Sequence, residues 1–285
     1  MTFEYVYTGL LQGLILALVA YAVMIPFRLL NFPDLTSEGA YPLGGAVCTG
    51  LLLGSVPPWV ALIVASFSAG LLGVCTGLIH LRLKVNSLLA GIILSTMIYS
   101  VNLRLLSKPN VALFNTSSVF SETHLMFNLG LLAMVLMTLV VLLILFLRTE
   151  FGLKLRAVGL NKKFSGRYGI SVSGYTLLGL FFSGCFTGLA GGFMVQLQHY
   201  MDVGMGVGVV IHALAALMIG EAMVGRDRMS QQVISPLIGA LVYQQIQGVV
   251  LSLGLAPSDL KFFTGGLVLM VIAIQRRAEE NEHGA

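Results

Sequence analysis

Apolar runs long enough to cross a bilayer, each almost free of charge, recur along this chain and restrict its fold more than any other feature. The run from Leu125 to Leu147 contains no charged residue. A spanning helix needs about 20 predominantly apolar residues, and this run supplies them. A water-soluble domain carries about 25% charged residues because its surface must face water. Here the share is 10%, with 57% hydrophobic residues and a mean hydropathy of +0.92. Such a chain cannot coat a soluble core and is read as an all-α polytopic membrane protein. Its net charge of +4 fits basic loops on one side of a membrane and gives no reason to expect nucleic acid.

Polar punctuation divides the apolar sequence into nine expected spans, near residues 5–27, 39–54, 59–80, 87–106, 125–147, 173–196, 206–224, 233–254 and 259–275. Lys and Arg set the orientation. With Arg276 and Arg277 in the cytoplasm, alternation puts 13 of the 16 basic residues inside and leaves Arg104, Lys108 and Lys261 outside. The N-terminus then lies outside and the C-terminus in the cytoplasm. The first span is expected to be retained, since Glu4 stands where a cleavable signal would carry basic residues.

The remaining segments are short, so residues 1–285 read as a single transmembrane domain. The polar stretch Ser107–His124 has no core of its own, and no loop could hold a catalytic domain. Neither a phosphate-binding Gly-rich loop ending in Lys-Ser or Lys-Thr nor a His-Glu-x-x-His or Gly-x-Ser-x-Gly element is present, so no enzyme and no cofactor is expected. Cys48, Cys75 and Cys185 lie in apolar runs without metal-ligand spacing and read as packing residues.

Glycines four apart, at Gly50/Gly54, Gly73/Gly77, Gly184/Gly188 and Gly188/Gly192, predict close helix contacts. The stretch Asn31–Pro42 places Asp34, Ser37 and Glu38 between two apolar runs, with Pro33 and Pro42 expected to break any continuous helix. It reads either as a discontinuous element on a transport path or as a turn with Asp34, Thr36 or Ser37 capping the next helix. Glu221 is expected to pair with Arg226 or Arg228, His212 to pack, and Asn102 and Arg104 to reach the outer interface. Gln244, Gln245 and Gln247 either line a polar path or link helices. The segment Arg148–Ser171 holds six basic residues interleaved with Leu153, Leu155, Ala157, Val158 and Leu160. That pattern is an interfacial helix, and its length and apolar content fit a dock for a cytoplasmic partner better than a simple charge anchor.

At these two segments the chain resembles the branched-chain-amino-acid-type permeases of ABC importers. Asn31-Phe32 through Gly39 is similar to the element that follows their first long helix. Gly152, Arg156 and Ala157, then Gly169 and Ile170, are similar to their central loop, and a Gly-rich helix from Ser183 to Gly192 follows. Within the family the chain is most similar to the subgroup associated with tryptophan and tyrosine uptake. It departs from the better-known branched-chain members in the charged turn Glu221–Arg228.

The resemblance implies a permease that hydrolyses nothing itself. Cytoplasmic ABC ATPase subunits would dock on Gly152, Arg156, Ala157, Lys162, Lys163 and Gly169, and a periplasmic or lipid-anchored binding protein would deliver an amino acid. A second permease copy would complete the path within the lipid of the cell inner membrane. Asn31, Asp34, Ser37, Glu38 and Asp202 are the path candidates. The alternative is an ion-coupled secondary transporter with Asp34, Glu38 or Glu221 titrating. Nine spans also imply inverted repeats, spans 1–4 against 6–9. Asn31–Asp34 after the first span and His199–Asp202 after the sixth are their faint common signature.

Overall fold

A computed structural model describes residues 2–114, 116–121, 125–226 and 228–252, together with 262, 264–266, 269–270 and 273. They divide into two units: Tyr21–Val210, and Met1–Ala20 with Ile211–Ala285. Helix α1 runs Thr2–Met24 and continues as a π-helical turn, Ile25–Leu29. Then come α2 (Ser37–Leu53), α3 (Pro58–Leu83), α4 (Ser87–Leu106), α5 (Leu125–Arg148), the short α6 (Glu150–Leu160) and α7 (Lys162–Arg167), and α8 (Val172–Gln198). Helices α9 (Val209–Val224) and α10 (Met229–Ser252) follow. Among the described residues, six helices are long and apolar enough to cross a membrane, and α9 is a shorter apolar one. The chain is an all-α multi-pass membrane protein. The expected ninth span, 259–275, lies largely outside the described residues.

Helix starts follow local chemistry. The Asn86 side chain accepts from the Leu88 N–H at 3.0 Å and opens α4; Ser171 accepts from Gly174 at 3.3 Å and opens α8. Pro58 opens α3 at the first helical position, where its missing N–H has no carbonyl to serve.

In the first unit, α3 and α8 pack through small residues. A Cβ at Gly184 would run into the Ala69 carbonyl, one at Gly73 into the Leu180 carbonyl, and one at Gly188 into the Ala69 side chain. Helix α2 joins them the same way, with Gly191 against the Tyr41 carbonyl. Lipid gives no hydrophobic drive for helix association, so dispersion across this backbone approach holds the helices together. Gly50 does not take part. It is exposed with nothing within 4 Å, and Gly54 caps the end of α2, so that pair is not a contact.

Asn102 is fully buried in α4, and neither of its amide atoms has a hydrogen-bond partner among the described residues. Two further expectations are corrected. Pro42 does not end a helix but sits inside α2. It lacks an N–H for the Glu38 carbonyl, and that carbonyl lies against Gly206, where a Cβ could not fit. The stretch after α4 is not without packing. Strand β1 (Asn110–Ala112) pairs antiparallel with β2 (Tyr200–Asp202), and Leu113 and Phe120 are buried. Gln196 in α8 accepts from the Val119 N–H at 2.9 Å.

The second unit contains the start of α1, most of α9, and α10. Gly220 meets the Ser235 carbonyl and Gly239 the Ala216 carbonyl, so α9 and α10 pack backbone to backbone. Pro236 frees the Gln232 carbonyl four residues earlier, and the Ser235 hydroxyl donates to it at 3.3 Å. Two of the glutamines link α10 to α1: Gln244 Nε2 donates to Gln12 Oε1 at 2.7 Å and Gln245 Nε2 to the Val6 carbonyl at 3.1 Å. Gln247 Nε2 donates within α10, to the Tyr243 hydroxyl at 2.8 Å. His212 packs its ring edge to face on Tyr243, with centroids 5.8 Å apart.

Candidate functional site

The π turn starts the most unusual backbone in the chain. Pro26 cannot donate, so the Ala22 carbonyl lacks its helical partner, and the Ser183 hydroxyl of α8 donates to it at 2.7 Å. The turn closes through Leu30 N–H to the Ile25 carbonyl at 3.1 Å and Phe32 N–H to the Pro26 carbonyl at 2.8 Å. Asn31 then takes a left-handed conformation (φ 47°), which Asn tolerates better than most residues, and the chain runs without regular secondary structure to Thr36.

Polar side chains from four helices hold this break. Asp34 is 2% exposed. Its carboxylate accepts from the Thr36 N–H at 2.9 Å and from the Thr36 hydroxyl, which lies 2.7 Å from the Thr76 hydroxyl of α3. Gly91 of α4 lets the segment approach closely, since a Cβ there would stand 2.9 Å from the Asp34 carboxylate and from two backbone nitrogens. Ser95 Oγ reaches the Leu35 carbonyl at 3.2 Å, and Ser37 Oγ lies 3.3 Å from the Thr187 hydroxyl of α8. Helix α2 therefore begins beside the middle of α8. Of the path candidates, Asp34 and Ser37 are buried and hydrogen-bonded, while Asn31 is exposed.

Glu38 is different. Half-buried in the first turn of α2, it lines a 330 Å³ cavity with Ser95, Thr96 and Tyr99 of α4 and with Val203 and Val207. The Gly208 N–H is directed at its carboxylate, and Gly208 sits at φ 83°, where a side chain would be strained. Asp202 is not on this wall. It stands opposite Asn110 in the β ladder, and its carboxylate accepts from the Gly204 N–H at 2.8 Å. That bond starts the turn that carries Val203–Gly208 to the cavity.

The basic segment after α5 folds as two helices hinged at Asn161, whose side chain accepts from the Phe164 N–H at 3.0 Å. Its motif residues face inward or shape the backbone. Gly152 lies against Phe146 and Leu147 at the end of α5. Arg156 Nη2 donates to the Leu147 carbonyl at 3.4 Å, a cation on the carbonyl end of a helix. Gly169 (φ 75°) closes the turn after α7. Arg156 is thus tied to its own chain and does not stand on the open face, where Lys163 does.

Residues outside the motif make that open face: Leu153, Leu160 (88% exposed), Phe164 and Tyr168 (72% exposed). The opposite side seats the break. Gly159 abuts the Leu29 carbonyl and Leu30, Leu30 packs on Gly179, and Lys162 Nζ sits 5.8 Å from the centre of the Phe32 ring. Phe32 in turn meets His80 edge to face at 4.9 Å. Sequence reasoning missed Thr76, Gly91, Ser95 and Thr187. Lone hydroxyls in apolar helices usually bond the preceding turn, and nothing distinguishes these in the sequence.

The family described as "Branched-chain amino acid transport system / permease component" matches residues 5–273. A tyrosine transport system permease protein of Clostridioides difficile (strain R20291) is 31% identical over 262 residues, which are 92% of this chain and 88% of that one. An uncharacterised protein of Rickettsia prowazekii (strain Madrid E) is 28% identical over 95% of this chain and 98% of its own. The ribose import permease protein RbsC of Bacillus subtilis (strain 168) is 23% identical over 86% of this chain and 76% of its own. No solved structure matches significantly.

Proposed function

The chain belongs to the branched-chain amino acid transport permease family, and on that premise we propose that it is the membrane subunit of an inner-membrane ABC importer for an amino acid, aromatic or branched-chain. The observation that carries this reading is the two-sided segment Glu150–Arg167. One side presents Leu160, Phe164 and Lys163 to the outside of the chain. The other rests on the break after α1 through Gly159 and Lys162. A partner that moves the segment would move the break. No nucleotide-binding element lies in the chain itself, so ATPase subunits supply the energy, a periplasmic or lipid-anchored binding protein delivers the solute, and a second permease copy completes the path. ATP binding then shifts the population between outward-facing and inward-facing states.

In this reading residues 1–285 form one permease domain of nine spans, with inverted repeats around α5. The decisive experiment is uptake of radiolabelled L-tyrosine by cells carrying the permease with its ATPase and binding protein. Uptake should stop on ATP depletion and persist under an uncoupler that collapses the proton gradient. The reverse pattern would establish the ion-coupled alternative. Orientation has its own expected outcome. Cysteines at Thr2 and Ser117 should react with an impermeant thiol reagent added outside, and those at Lys163 and Glu282 should be protected. Protection at Thr2 would require an even number of crossings.

A further inference from the structure

We propose that the cavity beside Glu38 binds the ammonium group of the transported solute, with the solute's apolar body lying along the α4 wall. The inference rests on the importer reading and adds the chemistry of the site. Glu38 brings a carboxylate to the mid-length of α4, since its cavity neighbours Ser95, Thr96 and Tyr99 lie near the middle of Ser87–Leu106. An ionisable group at that depth is costly against lipid and persists where water or protein faces it. The cavity mouth is therefore expected to face water or a partner protein rather than lipid. Its 330 Å³ stands at the small end of ligand sites, about 300–1,000 Å³.

Counting donors and acceptors gives the charge of the ligand. A carboxylate offers about four lone-pair sites, and the Gly208 N–H addresses one of them. Among the described residues no Lys or Arg pairs with Glu38. The nearby hydroxyls do not neutralise it, because Ser95 lies 2.9 Å from the Gly91 carbonyl and Thr96 2.7 Å from the Ile93 carbonyl, within their own helix. Water can fill the remaining acceptor sites, and an ammonium group with several N–H donors can take its place.

A bare metal ion fits poorly. Hard cations take six or more oxygens, charged ones among them, whereas Glu38 is the only carboxylate on this wall, its other oxygens are the side-chain hydroxyls of Ser95, Thr96 and Tyr99, and the described residues contain no cluster of acidic or histidine ligands. An organic ammonium fits both halves of the cavity. Its head meets Glu38, its body meets the apolar wall, and the half-exposed Tyr99 ring offers a face to the cation.

The test uses the full permease with its ATPase partner in proteoliposomes. Cys48, Cys75 and Cys185 are replaced by alanine, and Thr96→Cys is the single label site. Two methanethiosulfonate reagents of similar size are compared, one carrying trimethylammonium and one sulfonate. With Glu38 present the cationic reagent should react roughly tenfold faster than the anionic one, after correction for a free thiol in solution. Glu38→Gln should bring that ratio to about one, and Glu38→Asp, which keeps the charge, should preserve it. Tyramine should slow the labelling, whereas 3-(4-hydroxyphenyl)propanoate, which has the same ring but no ammonium, should not.

A ratio unchanged in Glu38→Gln, a site reached only by membrane-soluble reagents, or equal protection by both probes would overturn the proposal. ATP-driven tyrosine uptake by the unsubstituted complex is measured alongside. The cavity assignment can then fail while the importer reading stands, and the labelling ratio is read whether or not tyrosine is carried.

Discussion

Replacing Leu160 and Phe164 together by aspartate is expected to weaken association with the ATPase by about 30-fold or more and to abolish ATP-driven uptake, with membrane insertion intact. Both side chains are exposed, Leu160 at 88%, and the Phe164 ring packs on the likewise exposed Tyr168. Large exposed apolar groups beside Lys162 and Lys163 are what a partner's hydrophobic pocket with an acidic rim would bury. Two buried charges in place of two apolar anchors remove that contact and add a desolvation cost. Charge reversal at Lys163 should have a smaller effect, less than about tenfold and eased by salt, because a rim charge acts mainly on the rate of encounter. Arg156→Glu is expected to behave differently again. It would set a carboxylate on the carbonyl end of α5, so it should lower thermal stability in detergent before it alters docking. Co-purification of the ATPase at graded salt, beside a melting curve, separates the three. Normal complex yield for the Leu160/Phe164 variant would remove this face from the interface.

The long helices were readable because lipid allows only one solution for an uninterrupted apolar run, with every backbone group bonded inside the helix. The expected limits of α3, α4, α5 and α8 fall within a few residues of those found. The break after α1 was visible as a cluster of Pro, Asp and Ser, but its construction was not. Pro42 looks like a helix end in one dimension, and Pro26 stands unmarked inside the first apolar run. Both are accommodated because a distant element deals with the freed carbonyl, Ser183 donating to Ala22 and Gly206 leaving room for Glu38. No local rule contains a partner from another helix. The same limit explains Asn102, whose burial follows from how α4 is packed rather than from its position near a helix end.

The basic segment shows a second limit. The resemblance gives its motif residues as a dock without saying which of them reach the surface. In three dimensions Gly152, Arg156 and Gly169 build the segment, and less distinctive residues occupy its surface. Alternation of apolar and basic residues marked an amphipathic helix without revealing that Leu155 and Val158 point inward while Leu153 and Leu160 point outward. A helix wedged between its own chain and a partner has two apolar faces, and periodicity alone cannot assign either of them.

Gly159→Val is expected to separate ATP hydrolysis from transport. Gly159 is the point where α6 touches the π turn, and a Cβ there would run into the Leu29 carbonyl and press on Leu30. Overpacking a close contact costs about 1–3 kcal/mol, enough to move a short helix of 11 residues that is otherwise seated by Gly152, Leu155 and Val158. The open face would remain, since Leu160 and Phe164 point away from this contact. Docking should therefore survive and the ATPase should still turn over. What would be lost is the fit to the break, where Lys162 sits over Phe32 and Leu30 fills the space against Gly179. The solute carried per ATP hydrolysed should fall at least about tenfold, because a ligand or partner shifts an equilibrium only through contacts that differ between its states. Lys162→Ala, which removes only the cation over the Phe32 ring, should give a milder loss of about twofold to fivefold. The measurement is phosphate release and solute uptake on the same proteoliposomes. If Gly159→Val lowered both in proportion, the segment would be a dock alone, and the link from α6 through the π turn to Asp34 would carry no part of the coupling.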